Sequence, residues 1–218
     1  MFDIISTITW PILNYLYSFI NFSDEPVTQE KIVINSVSLT NCYTTFILGS
    51  LYFLSDKNFL RETSISLSVA YFIWDTYRII LTKSKKESPY IVHHIAGLLL
   101  LNYAKTDDYL FQSFYLAEVS NTLMYPMYHL IKTRDQEKRE NLRLTNNIQV
   151  IQLIMFGCIR IPIPLYYFWT KYHEMPNSVF YSSLGIYVMG LKWFVGQYKN
   201  YIKNKNNLYI LDENVKIE

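Results

Sequence analysis

The chain has 218 residues, of which 50% are hydrophobic, and a formal net charge of +2, so its charge indicates neither a strongly acidic nor a strongly basic partner. The basic residues lie in short loops between apolar runs and form no basic stripe, so we expect no nucleic-acid partner. Cys42 and Cys158 lie in different apolar runs, a spacing that matches no metal or redox motif and indicates no disulfide framework.

Long uncharged runs predict helices that cross a membrane. The 20 residues between Asp3 and Asp24 carry no formal charge, and neither do the 24 between Lys31 and Asp56. About 20 apolar residues suffice to span a bilayer core. The mean hydropathy of +0.06 is low for a multi-pass protein because the chain contains 20 tyrosines, which suit interfaces and bundle interiors. A soluble helical bundle is the alternative, and the uncharged runs favour the membrane protein.

Seven candidate spans follow one another along the chain. They lie near residues 2–22, 32–55, 63–82, 89–104, 109–131, 145–170 and 177–201. Pro162 and Pro164 fall inside the sixth span and predict a kink there. The fold class that we predict is therefore all-α, a polytopic membrane protein with about seven transmembrane helices.

The distribution of lysine and arginine predicts the orientation. Alternate loops and the C-terminal tail hold 13 of these residues on one side, and the other loops hold 4. The positive-inside rule therefore predicts a cytosolic C-terminus and an odd number of spans. The basic loops at 83–86 and 132–143 are also placed to hold anionic head groups or the phosphates of an acyl-CoA, although the positive-inside rule by itself accounts for them.

Several ionisable side chains fall inside these apolar spans. Charged and titratable groups at membrane depth are costly and by default indicate a functional site. They are Asp75, Arg78, His93, His94, Glu118, Arg160 and Lys192. With the predicted topology they occupy the cytosolic and central thirds of the membrane, where we expect them to face the bundle interior.

Asp75 and Arg78 are three residues apart, so they share one helical face and can pair. The pair is either an internal ion pair that holds helices together or part of a catalytic group, and the first interpretation is the more common one. Removing one partner at this depth would be costly in either case.

His93 and His94 are adjacent, so their side chains point about 100° apart on a helix and are poorly placed to chelate one metal. We therefore predict no metal site; one histidine can face a cavity while the other bonds a neighbouring helix. A cavity histidine can act as a general base or accept an acyl group, and Glu118, whose face Asn121 shares, can orient the imidazole. The alternative is a histidine pair that only makes hydrogen bonds between helices.

The order of these residues resembles that of the TLC (TRAM–LAG–CLN) domain family, most closely its smaller TLC-domain-containing proteins and more distantly the ceramide synthases. The similarity covers roughly residues 32–201 and rests on segments carried by separate spans. They are YFIWD at 71–75, YIVHH at 90–94, AEVSN at 117–121, FGCIR at 156–160, and Trp193 in the last span.

The resemblance implies a helical barrel of six spans around a central lipid-accessible cavity, here preceded by one further helix. It divides the chain into a leading helix and loop at 1–31, a TLC domain at 32–205 and a cytosolic tail at 206–218. It also implies residence in the endoplasmic reticulum or another endomembrane. Ceramide synthases transfer an acyl group from acyl-CoA to a sphingoid amine with paired histidines, whose positions His93 and His94 match. The His-Asp step and further Asp that follow in those enzymes are replaced here by Ala117-Glu118 and Ser120-Asn121.

These observations favour a multi-pass protein that binds membrane lipids or acyl chains and influences membrane lipid composition. The alternative is an acyl-CoA-dependent acyltransferase, with acyl-CoA as substrate and no cofactor, in which His93, His94 and Glu118 are catalytic. A transporter-like or receptor-like bundle is disfavoured, because no repeat relates the two halves. The residues that we expect to form the polar lining of the cavity are Asp75, Arg78, Asn121, Arg160, Lys192 and Trp193. The pattern leaves open which histidine faces the cavity and the oligomeric state.

Overall fold

The computed structural model describes residues 4–83, 85, 87–136, 138–171 and 173–214, with side chains described between residues 6 and 210. Phe2, Lys86 and Lys216, which the span and charge predictions use, lie outside the described residues. The described part of the chain contains nine helical segments. They are α1 (Ile4–Ser18), α2 (Pro26–Ser55), α3 (Asn58–Thr82), α4 (Ser88–Tyr103), α5 (Asp108–Val119), α6 (Met124–Thr133), α7 (Arg139–Arg160), α8 (Pro162–Lys171) and α9 (Asn177–Asn214).

The nine segments form seven rods, because α5 continues into α6 and α7 into α8 with short interruptions. One rod corresponds to each predicted span, so the all-helical fold class is confirmed. The bounds differ mainly where charged or polar residues extend a helix: α2 begins at Pro26 and α9 continues to Asn214. Hydropathy identifies only the apolar part of such a helix, and the polar turns reach beyond it.

Two of the rods are interrupted, and local residues favour each interruption. The sixth breaks at Ile161, immediately before Pro162, because proline has no N–H to donate and its ring clashes with the preceding turn. The fifth breaks at residues 120–123, where the Ser120 and Thr122 hydroxyls donate to the carbonyls of Ala117 (2.7 Å) and Val119 (2.8 Å). Such side chains compete with the helical hydrogen bonds.

Contacts between neighbouring rods close a ring. In order around it, α2 packs on α3, α3 on α4, α4 on α9, α9 on α7, and the α5–α6 rod packs on both α7 and α2. Helix α1 lies outside, against α2 and α3. Consecutive rods alternate in direction, so the bundle has two ends. We call the end with the α3–α4 and α6–α7 connections the basic end, and the end with the α2–α3 and α4–α5 connections the opposite end.

The outer surface of the bundle is apolar, unlike that of a soluble bundle, and polar groups are buried inside it together with a hydrophobic core. Ile80, Val92 and Ile154, on three different helices, are each more than half exposed on the outer surface. Asn41 and Ser68 are buried between α2 and α3, where the Ser68 hydroxyl donates to Asn41 Oδ1 at 3.3 Å. Exposed apolar side chains around a polar interior are what a lipid environment requires, because buried polar groups then bond to each other across helices.

Three helical stretches have both the length and the composition of a membrane-crossing helix. They are Pro26–Ser55, Arg139–Lys171, which joins α7 and α8, and Asn177–Ile210. Other rods are shorter or more polar: α4 has 16 residues, and α3 carries Asp75 and Arg78. The structure therefore supports a membrane protein with several spans. Arg160 and Lys192 lie within two of the three long stretches, and the other ionisable residues lie on the remaining rods.

Candidate functional site

Asp75 and Arg78 form the ion pair that their spacing predicts. Arg78 Nε lies 2.6 Å from Asp75 Oδ1, and Arg78 also donates to Glu87, just before α4, at 3.0 Å. The Asp75 residue is 6% exposed and the arginine is half-buried. The arginine thus joins the end of α3 to the beginning of α4, which is the arrangement expected of a group that holds two helices together.

His94 belongs to this same group. Its Nδ1 lies 3.1 Å from the Thr76 hydroxyl, and its Nε2 lies 3.6 Å from Asp75 Oδ2. The ring also stacks on Phe72, with centroids 5.0 Å apart. A carboxylate beside Nε2 favours the tautomer protonated on that atom, so Nδ1 accepts a hydrogen bond from Thr76. Helix α3 therefore surrounds His94 with partners.

His93 points away from α3, as the rotation of about 100° between adjacent helical residues requires. Its ring packs edge-on against Trp193 of α9, with centroids 5.2 Å apart, and Tyr90 stacks on the same indole at 5.6 Å. The Nδ1 atom of His93 is buried and has no hydrogen-bond partner. A buried polar atom without a partner costs stability, and in a native structure it commonly indicates a ligand or a reaction.

A cavity of about 120 Å³ lies beside His93, enclosed by α4, α5, α7, α8 and α9 together with Phe72 of α3. Its walls are mainly aliphatic and aromatic, and the polar groups are concentrated at its inner end, near the middle of the bundle. The residues at that end are His93, Glu118, Arg160 and Gly190; those toward the opposite end are Leu100, Leu110, Tyr167, Phe168 and Ser183. Along α5 the lining runs from Leu110 to Glu118, about 12 Å at 1.5 Å per residue.

Glu118 lies at the polar end of the cavity with a partner that the sequence did not indicate. The thiol of Cys42, on α2, donates to Glu118 Oε2 at 2.9 Å. We expected Glu118 to orient an imidazole, but among the described residues its side chain bonds this thiol, and the carboxylate beside a histidine is that of Asp75. Glu118 lies within α5, and α5 packs on α2, which carries Cys42.

Arg160 is the last residue of α7, and its side chain donates hydrogen bonds to acceptors at the end of α5. Its guanidinium donates to the Ala117 carbonyl at 2.8 Å and to the Ser120 hydroxyl at 2.9 Å, while Gln152 donates to the Ser120 carbonyl at 2.7 Å. A helix end inside a membrane leaves carbonyls that water cannot reach. Arg160 therefore has a structural role as well as a place in the cavity, where its charge remains beside Glu118.

The other residues predicted to line the cavity lie elsewhere. Asp75 and Arg78 belong to the α3–α4 group, and Asn121 lies in the turn between α5 and α6, where its carbonyl accepts from Met124 N at 3.0 Å. Lys192 is exposed on the outer face of α9, from which a long side chain can reach the polar interface. Trp193, next to it, packs behind His93 and does not line the cavity.

The sequence analysis did not identify several residues of these groups. Thr76, Glu87, Cys42 and Ser120 each contact one of the predicted residues. Thr76 and Ser120 could have been found from the sequence, because each is a polar residue one or two positions from a predicted site residue. Cys42 had none, since 76 residues separate it from Glu118. Within the described residues no group of three His, Cys, Asp or Glu side chains is placed to hold a metal ion.

A ring of helices with exposed apolar side chains, buried polar groups and an interior cavity defines a polytopic membrane protein. The TLC domain model matches residues 9–201, which is most of the chain and includes much of α1. The chain therefore belongs to the TLC domain family. No curated protein and no solved structure matches the chain significantly.

Proposed function

We propose that this TLC-domain protein binds the acyl chain of a membrane lipid in the cavity and thereby influences membrane lipid composition. The observation that carries the proposal is the polarity of the cavity: apolar walls extend for about 12 Å and end at His93, Glu118 and Arg160. An amphiphile fits this distribution, because its hydrocarbon chain can occupy the apolar part while its polar group meets a buried base, acid and cation.

A pair of glycine substitutions on α9 tests this proposal. Gly190 lines the cavity, and a Cβ placed on it would have Arg160 Cδ, at 4.0 Å, as its nearest neighbour. Gly190→Leu should therefore fill the inner end of the cavity. Gly185→Leu makes the same change on the outer face of the same helix, where a Cβ meets no atom within 4 Å.

The measurement is native mass spectrometry of the purified proteins, followed by lipidomics of cells that express them. Wild type and Gly185→Leu should retain lipid, and Gly190→Leu should lose it together with the effect on membrane composition. Equal lipid retention by both variants would show that the ligand does not occupy this cavity. If all three proteins shift the lipid composition of cells equally, the cellular effect does not depend on lipid binding in this cavity.

The second candidate function is acyl transfer from acyl-CoA, and the unpartnered Nδ1 atom of His93 favours it. In that reaction an amine nitrogen attacks the thioester carbonyl, the C–S bond breaks, and the amine proton passes through the imidazole to the leaving thiolate. His94 would hold the neighbouring helices in position.

Labelled acyl-CoA and amine lipids, supplied to purified protein, decide between the two functions. Transfer by wild type that is lost in His93→Ala and in His94→Ala would establish the enzyme. If wild type transfers no acyl group, and the effect of each variant on cellular lipids follows the lipid that it retains, binding without catalysis is the remaining function.

We also propose seven crossings, with six rods enclosing the cavity, the C-terminus in the cytosol and the protein in the endoplasmic reticulum or another endomembrane. The support is the ring of contacts and the excess of 13 basic residues on one side over 4 on the other. Glycosylation acceptor sites introduced into successive loops test the topology. Modification of a site placed after Asn214, or of one in the α6–α7 connection, would overturn it.

A further inference from the structure

A second pocket, with a volume of about 320 Å³, lies at the basic end of the bundle. Helix α7 packs against both α6 and α9, and these three helices provide all of the described residues that line the pocket. On α9 the polar lining residues are Gln197, Asn200, Lys203 and Asn204, which share one helical face. Asn204 donates to Gln149 of α7 at 3.0 Å, so the two helices are joined across the pocket.

The lining of this pocket has two chemically different sides. One side is formed by the amides of α9 and α7 with the ammonium of Lys203. The other is formed by Met124, Met127, Ile131 and Leu153, together with Tyr128. Among the described lining residues Lys203 alone is charged. One cation surrounded by neutral amide donors suits a phosphodiester, which carries a single negative charge, and the apolar side suits the glycerol and first methylenes of a lipid.

One polar atom in the lining indicates what else the ligand carries. Gln197 Oε1 is buried and has no hydrogen-bond partner. A buried acceptor of this kind is costly unless a donor reaches it. A bound phospholipid supplies that donor only if its head group has an N–H or O–H beyond the phosphodiester.

The pocket is separate from the cavity described above. No described residue lines both, and the stacked rings of Phe156 and Phe194, with centroids 6.3 Å apart, lie between them on α7 and α9. A ligand in this pocket is therefore independent of the acyl chain that we propose for the cavity.

We propose that this pocket binds the head group of a glycerophospholipid that carries its own hydrogen-bond donor, with Lys203 on the phosphodiester and Gln197 accepting from the donor. Phosphatidylethanolamine and phosphatidylcholine are suitable probes, since they have the same net charge and differ in whether the head group has an N–H. Wild type should bind dioleoyl phosphatidylethanolamine about fivefold more tightly than the choline lipid, the effect of one additional hydrogen bond.

Two substitutions separate the phosphate contact from the donor contact. Lys203→Met should weaken the binding of both lipids about tenfold, because it removes a charge-assisted contact. Gln197→Leu should abolish the preference between the two lipids and leave the choline lipid nearly unaffected. Lys199→Met is the matched control, since Lys199 is an exposed lysine of the same helix that does not line the pocket.

Lipid titrations followed by native mass spectrometry measure these affinities in the full chain, with the melting temperature as a check on folding. The proposal is overturned if wild type does not distinguish the two lipids, if Lys199→Met acts like Lys203→Met, or if Gln197→Leu keeps the preference. Glycerophosphoethanolamine, which lacks acyl chains, should compete weakly. Equal competition would make a soluble phosphodiester the ligand. Gly190→Leu, which fills the cavity beside His93, should leave the affinities for both lipids unchanged.

Discussion

His93 and His94 are neighbours in the sequence but lie in opposite environments. His94 has a hydroxyl partner in Thr76, a carboxylate beside it and a stacked ring, all on α3. His93 faces the cavity, and its Nδ1 atom has no partner. One rotation of about 100° along a helix thus separates a histidine that holds helices together from one that is free to meet a ligand. Two identical residues that are adjacent in the sequence need not share a role.

Asp75, Arg78, Glu87 and His94 form the group that joins α3 to α4, and Asp75→Asn is its sharpest test. The substitution leaves Arg78 with Glu87 as its one carboxylate partner. We expect a loss of about 3 kcal/mol in the free energy of unfolding, because the contacts of the Asp75 carboxylate with Arg78 and with His94 are both weakened. Thermal unfolding in detergent, followed by intrinsic fluorescence, measures the loss.

Glu174→Gln is the control, since Lys171 and Glu174 form an ion pair with the same i, i+3 spacing at 2.7 Å on the exposed surface. Its effect should be much smaller than that of Asp75→Asn, because solvent screens an exposed ion pair. Comparable losses for the two variants would mean that burial does not distinguish the α3–α4 group.

Arg160→Met tests whether the cavity arginine also supports the fold. It removes the donors to the Ala117 carbonyl and to the Ser120 hydroxyl, so we expect a loss of about 2 kcal/mol. Ser120→Ala removes one of these contacts and should cost about 1 kcal/mol. Chemical or thermal unfolding of both variants gives the ratio of the two losses in free energy of unfolding. An Arg160→Met protein as stable as wild type would leave the arginine with a ligand-binding role alone.

His94→Phe should cost about 1 kcal/mol, because the ring stacking on Phe72 can be kept while the hydrogen bond with Thr76 is lost. Lipid retention should be unchanged if the protein is compared at a temperature where it is folded. The melting temperature and the bound lipid are measured on the same sample. Loss of lipid without loss of stability would place His94, rather than His93, at the ligand.

Of these substitutions, His93→Phe should have the smallest effect on stability and the largest effect on ligand binding. Phenylalanine can keep the contact with Trp193 and removes a buried nitrogen without a partner, so the free energy of unfolding should be unchanged or slightly higher. Retention of lipid, or acyl transfer if it occurs, should fall about fivefold with the loss of one polar contact. A clear loss of stability would show that His93 is also a structural residue.

The sequence predicted the rods more accurately than it predicted the partners of their side chains. The spacing of Asp75 and Arg78 was sufficient for the ion pair, because residues three apart on a helix must share a face. The rotation between the histidines likewise predicted that one would bond a neighbouring helix and one would face a cavity. Neither argument extends beyond a single helix, so the partner of Glu118 was predicted as an imidazole and is the thiol of Cys42.

The break between α5 and α6 shows the same limit. Ser120, Thr122 and the later Pro126 all disfavour a continuous helix, but many membrane helices tolerate such residues. The helix ends here because Arg160 and Gln152 of α7 satisfy the carbonyls that the break exposes. Lys192 was placed in the cavity on hydropathy alone, and its actual direction depends on how α9 is rotated against α4 and α7.

The sequence by itself determined that this is a helical membrane protein, roughly where its rods begin and end, and which local pairs share a helical face. These properties depend on hydrophobicity and on the period of one helix, and both follow from residues that are close together in the sequence. Only the tertiary structure decided that His93 faces the cavity, that Glu118 meets Cys42 and that a second pocket forms between α6, α7 and α9. Those contacts depend on the rotation and packing of distant rods, which is set by all of their side chains together.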